Sequence, residues 1–246
     1  MDPIIARFRE ARRQRSLAVV EGFHALKHAI RFDADLIEIV TANADRLHAL
    51  AAGLAPDVAK ALRRKVATLP PETLAALVPE PHPPDVIAIA TRPPDDDAAV
   101  ARGDAALVLL ERPTQLGNIG AVVRVAAAAG ARGVVTTGPA DPWHPHAIRG
   151  SAGLHFALPV QRCADESLDR LLEVAGPLVA LHPEGEPLRA GCLPPRAVLA
   201  FGSERTGLSP DLLARAGRRF AIPMQPGVSS LNLATAVAVA LYLGCR

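Results

Sequence analysis

The chain has 246 residues, enough for one large domain or two unequal ones. Half of the residues are hydrophobic but only 3% are aromatic, so the core must be built mainly of Ala, Val, Leu and Ile. A formal net charge of +2 excludes any argument for nucleic acid from overall charge; what counts is where the basic residues gather.

They gather first at the start. Arg7, Arg9, Arg12, Arg13 and Arg15 are opposed there only by Asp2 and Glu10, which fits either a solvated helix face or an RNA-backbone contact. Residues 3–30 read as helical, broken by a short apolar strand at 17–20, with Glu21-Gly22 opening the second helix. A strand follows at 36–41, then helices at 44–50 and 56–65, and a strand at 65–69. Between Pro79 and Asp97, prolines and a triple aspartate flank an apolar strand at 86–90. Residues 92–102 are the expected linker, because proline removes a backbone donor and the charges deny a core.

These signals divide the chain into a small α/β domain at 1–98 and a second domain at 99–246. In the second, apolar strands at 105–110, 133–137, 178–181, 198–201 and 219–222 alternate with helices at 119–129, 168–175, 210–216 and 231–243. Continuous apolar strands alternating with helices predict a parallel sheet covered on both faces.

Cys163, Cys192 and Cys245 form an odd set without a C-x-x-C, which predicts a reduced, cytoplasmic setting. The N-terminus has no apolar signal core, and the most hydrophobic stretch, 231–245, is shorter than the roughly 20 residues of a membrane span. No metal site is expected. His24 and His28 stand at i, i+4, and His144 and His146 flank Pro145 beside Trp143, but neither pair has an acid or cysteine at ligand spacing. Trp143 suits base stacking or dimer packing.

Ligands of parallel α/β sheets gather outside the carboxyl ends of the strands, and three loops there stand out. The first places Asn118 at an expected helix N-cap and Arg124 within an apolar helix, where a charge is expensive unless it has a partner or faces a cleft. The second, Gly202-Ser-Glu-Arg-Thr-Gly-Leu-Ser209, puts Glu204 between two glycines and ends on Ser209-Pro210, a helix cap followed by a first helical position. The third runs from Ile222-Pro-Met224 to Ser229-Ser-Leu-Asn232 and opens an apolar helix with three polar side chains, where capping needs one. A Rossmann fingerprint is absent around Gly117-Asn-Ile-Gly120, and no P-loop occurs.

In this order, N-x-G-x-x-x-R, G-S-E-x-x-G-L-S and I-P-M-x-x-G-x-x-S-L-N resemble the three signature motifs of the SpoU (TrmH-like) branch of the SPOUT methyltransferases. The resemblance covers roughly residues 105–246, including Arg149-Gly-Ser-Ala-Gly153. More loosely, residues 7–90 resemble the small substrate-binding domain of many members. The first motif departs in having Glu111-Arg112-Pro113 where an Asp-Pro is common.

What the resemblance implies is a knotted catalytic sheet with a C-terminal trefoil, a homodimer, and transfer of a methyl group from S-adenosylmethionine to a ribose 2′-hydroxyl of ribosomal or transfer RNA. By position it assigns functional polar roles to Asn118, Arg124, Glu204, Ser230 and Asn232. Cofactor contacts fall on Leu181, Gly202, Ser203, Glu204, Ile222, Met224, Ser230 and Leu231. A guanidinium is a poor base at neutral pH, so Arg124 is expected to bind an RNA phosphate and stabilise the developing alkoxide. Glu204 is expected to brace the loops. The rival reading is an RNA-binding protein whose pocket is vestigial.

Overall fold

The computed structural model describes residues 2–62, 66–79 and 84–245. They form two compact units, one made of Met1–Pro94 with Trp143–Ala157, the other of Asp95–Pro142 with Leu158–Arg246.

The first unit opens with α1 (Pro3–Ala11), whose N-terminal donors are met by Asp2, its carboxylate accepting from Ile4 N–H at 2.9 Å. Then come β1 (Leu17–Glu21), α2 (Phe23–Arg31), β2 (Leu36–Thr41), α3 (Ala44–Leu54), α4 (Pro56–Leu62), β3 (Val66–Thr68), α5 (Pro71–Ala75) and β4 (Val86–Thr91). The strands pair in the order β1-β4-β2-β3, antiparallel except for β2 with β3. Phe8 and Ala11 of α1 close a core with Val19, Val40, Leu74, Ile87 and Ile89. The part of the expected helix at 63–65 lies outside the described residues.

This setting explains the arginine cluster. Arg12 donates to the buried Glu21 carboxylate at 2.7 Å and to the Leu77 carbonyl at 2.9 Å, and Arg7 pairs with Glu38 at 3.0 Å, so these two arginines serve the fold. Arg13 and Arg15 are exposed.

In the second unit the order is α6 (Asp97–Ala101), β5 (Leu107–Leu110), α7 (Leu116–Ala129), β6 (Gly133–Thr136), then β7 (Val160–Arg162), α9 (Leu168–Ala175), β8 (Leu178–Pro187), β9 (Val198–Phe201), α10 (Pro210–Arg215), β10 (Arg218–Ala221) and α11 (Leu233–Val239), which runs into a π turn at Ala240–Gly244. Its six strands are all parallel, in the order β10-β8-β9-β5-β6-β7. Every residue of β5, β6 and β9 is buried, as a sheet covered on both faces requires. Leu107, Leu109, Val135, Leu171, Val198 and Leu212 make the core of one face, and α7 packs with α11.

Two expectations about organisation change. The segment expected as a linker carries α6, capped by Asp96, whose own N–H donates to the Gln161 side chain at 2.9 Å; charge and proline did not prevent a short capped helix from forming within the second unit. The units therefore divide after Pro94, whereas the sequence pattern put the boundary after residue 98.

The connection from β6 to β7 also leaves the second unit. It carries α8 (Pro145–Gly150), which packs on β1, and a 3-10 turn at Leu154–Phe156. Gly153 (φ +80°) lies so close to α2 that a Cβ there would be 2.2 Å from the Ala25 carbonyl oxygen. His28 Nδ1 meets the Ala152 carbonyl at 2.7 Å, and Arg149 reaches Glu21 at 3.9 Å. Trp143 is buried against His155 and Phe156 beneath the Arg92 guanidinium, so it is a core residue and not a base-stacking surface. His144 accepts from His146 N–H at the start of α8, a capping role.

Candidate active site

Sheet order reverses between β5 and β9: the chain runs from β5 outward to β6 and β7, then returns on the other side. A crevice forms at such a point because neighbouring loops leave in opposite directions. Here a cavity of about 420 Å³ opens at the carboxyl ends of β8, β9 and β10. That is within the range of small-ligand sites.

One wall is apolar, with Leu181, Phe201, Phe220, Ile222, Met224 and Leu231, and the rim is polar, with Asn118, Ser203, Glu204, Ser229, Ser230 and Asn232. Thus all the residues assigned to cofactor contact line one cavity, together with Asn118 and Asn232.

The Leu181 wall depends on an irregularity. β8 pairs with β10 through Val179 and Ala180, then again through Glu186 and Pro187, while the partner residues on β10 are consecutive. Residues 181–185 are thereby looped out, which turns Leu181, His182 and Pro183 into the cavity. Gly185 closes the loop against β10, where a Cβ would meet Phe220 N at 2.6 Å.

The 202–209 loop folds back on itself. Ser203 and Gly207 exchange backbone hydrogen bonds of 3.1 and 3.0 Å, and Ser203 Oγ meets Thr206 Oγ1 at 2.7 Å. Gly202 sits under this turn; a Cβ there would be 1.9 Å from the Gly207 carbonyl carbon, so only glycine fits. Ser209 caps α10, accepting from Leu212 N–H at 3.2 Å, as expected.

Glu204 joins the loops. Its carboxylate accepts from Thr114 N–H at 3.3 Å, Thr114 Oγ1 at 3.0 Å and Asn118 Nδ2 at 2.9 Å. Partial burial disfavours the charged form, but these hydrogen bonds together outweigh it and hold the Glu204 pKa below the ordinary glutamate value. With its carboxylate taken up by these donors, Glu204 ties the second loop to the first.

From Asn118 the network continues. Its Oδ1 accepts from Asn232 Nδ2 at 3.1 Å, and Asn232 Oδ1 in turn accepts from Ala234 and Thr235 N–H at 3.0 and 3.4 Å, capping α11. One polar chain therefore runs through all three loops.

The expectation that Asn118 caps its helix is corrected. α7 begins at Leu116, with Gln115 at the cap position and no side-chain cap, and Asn118 stands in the first turn with both amide atoms committed to other loops. In the third loop only Asn232 caps, leaving Ser229 and Ser230 exposed on the rim.

Arg124 is also differently placed from what its apolar surroundings implied. It lies on the exposed face of α7 and pays no burial penalty, and it is not among the residues lining the cavity of its own chain. The apolar stretch misled because Gly117, Ala121 and Ala128 beside it are small residues that also meet solvent.

The departure at Glu111-Arg112-Pro113 has a local explanation. Glu111 accepts from Ser209 N–H at 2.7 Å, and Arg112, at a φ of 47°, pairs with Asp165 at 2.9 Å. Sequence reasoning missed Thr114, His182, Pro183, Phe201, Phe220 and Ala236. His182-Pro183 carried a usable signal, since both follow a buried strand at its carboxyl end; the aromatic wall carried none. Among the described residues, no three His, Cys, Asp or Glu side chains gather as metal ligands, and no helix is long and apolar enough to cross a membrane.

The sequence profile of the SpoU rRNA methylase family matches residues 105–242. The chain is 35% identical over 175 residues to the 23S rRNA (uridine(2479)-2′-O)-methyltransferase of Streptomyces viridochromogenes, covering 67% of this chain and 61% of that one. It is 36% identical to the 23S rRNA (adenosine(1067)-2′-O)-methyltransferase of Streptomyces laurentii, over 66% of this chain and 63% of the other. The match thus spans about three fifths of the length of these relatives. Among solved structures, the SpoU methyltransferase AviRb of Streptomyces viridochromogenes, in complex with the cofactor AdoMet, superposes with a TM-score of 0.79 at 26% identity, covering 98% of this chain and 96% of that one.

Proposed function

The chain belongs to the SpoU rRNA methylase family, and on that premise we propose that it transfers a methyl group from S-adenosylmethionine to a ribose 2′-hydroxyl of RNA. The carrying observation is the single cavity in which all three motif loops meet, apolar on one wall and rimmed by ionised Glu204, two asparagines and two serines. An adenine ring would fit the apolar wall of Leu181, Ile222, Met224 and Leu231, and the charged amino acid end the polar rim. Relatives named as 23S rRNA 2′-O-methyltransferases favour ribosomal RNA over transfer RNA as the substrate.

When bound, S-adenosylmethionine supplies a methyl already activated by its sulfonium. The protein's work is then alignment and charge. Asn118 and Asn232, held by Glu204, fix the rim. Arg124 binds an RNA phosphate and stabilises the alkoxide developing on the ribose oxygen, with phosphate or water taking the proton.

In this reading Arg124, outside the cofactor cavity of its own chain, meets the RNA backbone from the exposed face of α7, and the chain pairs as a homodimer. The exposed Val228, Leu231 and Leu243 provide apolar surface for that association. In the same reading the catalytic sheet carries the family's C-terminal trefoil knot, the smaller unit selects the RNA, and the enzyme works in the cytoplasm.

Calorimetry with S-adenosylmethionine, followed by transfer of labelled methyl to ribosomal and transfer RNA and mapping of 2′-O-methyl positions, tests the proposal. Binding heat and a methylated ribose are expected. Absence of binding heat would leave an RNA-binding protein with a vestigial pocket.

A further inference from the structure

The helix that Asn232 caps ends in the π turn Ala240–Gly244. The loop between β8 and β9 is tied to that turn by two backbone hydrogen bonds, from Gly191 N–H to the Leu243 carbonyl at 3.2 Å and from Leu193 N–H to the Gly244 carbonyl at 3.0 Å. The approach is close, since a Cβ on Gly244 would lie 2.5 Å from Leu193 Cδ1.

Cys192 stands between the two donors, and Cys245 directly follows the second acceptor. The backbone pairing therefore brings two thiols together from distant parts of the sequence. Both are free, Cys192 half-buried and Cys245 exposed. Cys192 Sγ accepts from Arg189 N–H at 3.4 Å, which orders its side chain. Although the residue as a whole is exposed, partial burial of its thiol first, and then the neighbouring Cys192, raise the Cys245 pKa.

We propose that Cys192 and Cys245 are a redox pair, oxidised by a peroxide to an intrachain disulfide. The Cys245 thiolate attacks one peroxide oxygen, the O–O bond breaks, and water leaves after protonation, giving a sulfenic acid. The Cys192 thiolate then attacks that sulfur; the S–O bond breaks, a second water leaves, and the S–S bond forms. Two thiols are oxidised and one hydrogen peroxide is reduced to two waters.

The position gives the bond a consequence. The ring it closes contains β9, the 202–209 loop, α10, β10, the 222–232 loop and α11, while Asn118 and the looped-out residues 181–185 lie outside it. Two of the three motif loops thus become part of a covalent ring of about 50 residues, which restricts the unfolded chain and opening of that segment. Cys163 is an internal control: burial, then the charges of Asp97, Asp165 and Asp95, push its pKa up to about 11.

The test treats the reduced full-length protein with millimolar hydrogen peroxide. The expected product is two hydrogens lighter, yields a proteolytic peptide joining Cys192 to Cys245, and migrates as a single chain on a non-reducing gel. Its thermal midpoint rises by about 5–10 °C over the reduced form. Cys192→Ser and Cys245→Ser each abolish the link and the shift, and Cys163→Ser leaves both. A link between chains, a link through Cys163, or oxidation without a Cys192–Cys245 peptide would overturn the proposal. None of these readouts depends on methyl transfer.

Discussion

Asn118 donates a 2.9 Å hydrogen bond to Glu204 across 86 positions of sequence, and its other amide atom accepts from Asn232. These two bonds unite the three motif loops. The arrangement has measurable consequences.

Glu204→Gln replaces an acceptor oxygen with an NH₂ group facing the Thr114 and Asn118 donors. The substitution is expected to lower stability by no more than about 1 kcal/mol, because the Glu204 side chain is exposed to solvent, and to weaken S-adenosylmethionine binding by about tenfold. Urea denaturation and calorimetry measure the two effects. Unchanged affinity would mean that the brace does not shape the cavity.

The same carboxylate predicts a pH dependence. Its folded-state pKa is depressed, so its contribution to stability is present above the unfolded glutamate value of about 4.3 and is lost as pH falls through the folded value. Comparing wild type with Glu204→Gln from pH 7 to about pH 3, the stability difference should shrink as pH drops. A gap independent of pH would contradict the assignment.

Gly202→Ala would force a Cβ into the Gly207 backbone, which lies within 1.9 Å of that position. The 203–207 turn must open, and binding of S-adenosylmethionine should be lost while circular dichroism retains the α/β signature. Retained binding would show that the loop has room to yield.

Arg124→Ala and Arg124→Lys should both leave cofactor affinity within about twofold of wild type, because Arg124 is outside the cavity lining. Turnover on RNA should fall by at least about a hundredfold for both, since an ammonium does not reproduce the guanidinium fork. Lysine rescue of turnover at saturating RNA would dismiss the forked contact.

In the smaller unit, Arg12→Ala would remove the 2.7 Å partner of the buried Glu21 and leave, among the described residues, an ion pair with Arg149 at 3.9 Å. A loss of about 3 kcal/mol is expected, against less than about 1 kcal/mol for Arg149→Ala. Chemical denaturation of the two variants checks the order.

The parallel sheet was readable because β5, β6 and β9 are continuous apolar runs, and burial on both faces leaves that mark in the sequence. Ser209-Pro210 announced its helix because capping is a local contact between neighbours in the chain, whereas the last helix, expected from residue 231, begins at Leu233 with Asn232 as its cap. By contrast, Gln115 begins its helix with no side-chain cap, and the polar Asn118 drew the reading three residues too far.

The three loops likewise stood out by composition, as strand-end polar groups and glycines with no simple local purpose. What each does was decided only in three dimensions. The bond from Glu204 to Asn118, the outward turn of Leu181 to Pro183, and the exposed position of Arg124 depend on which strands become neighbours and where their register slips. Local propensity and burial are written into successive residues; hydrogen bonds between loops and the exposure of one helix face arise only when distant segments pack.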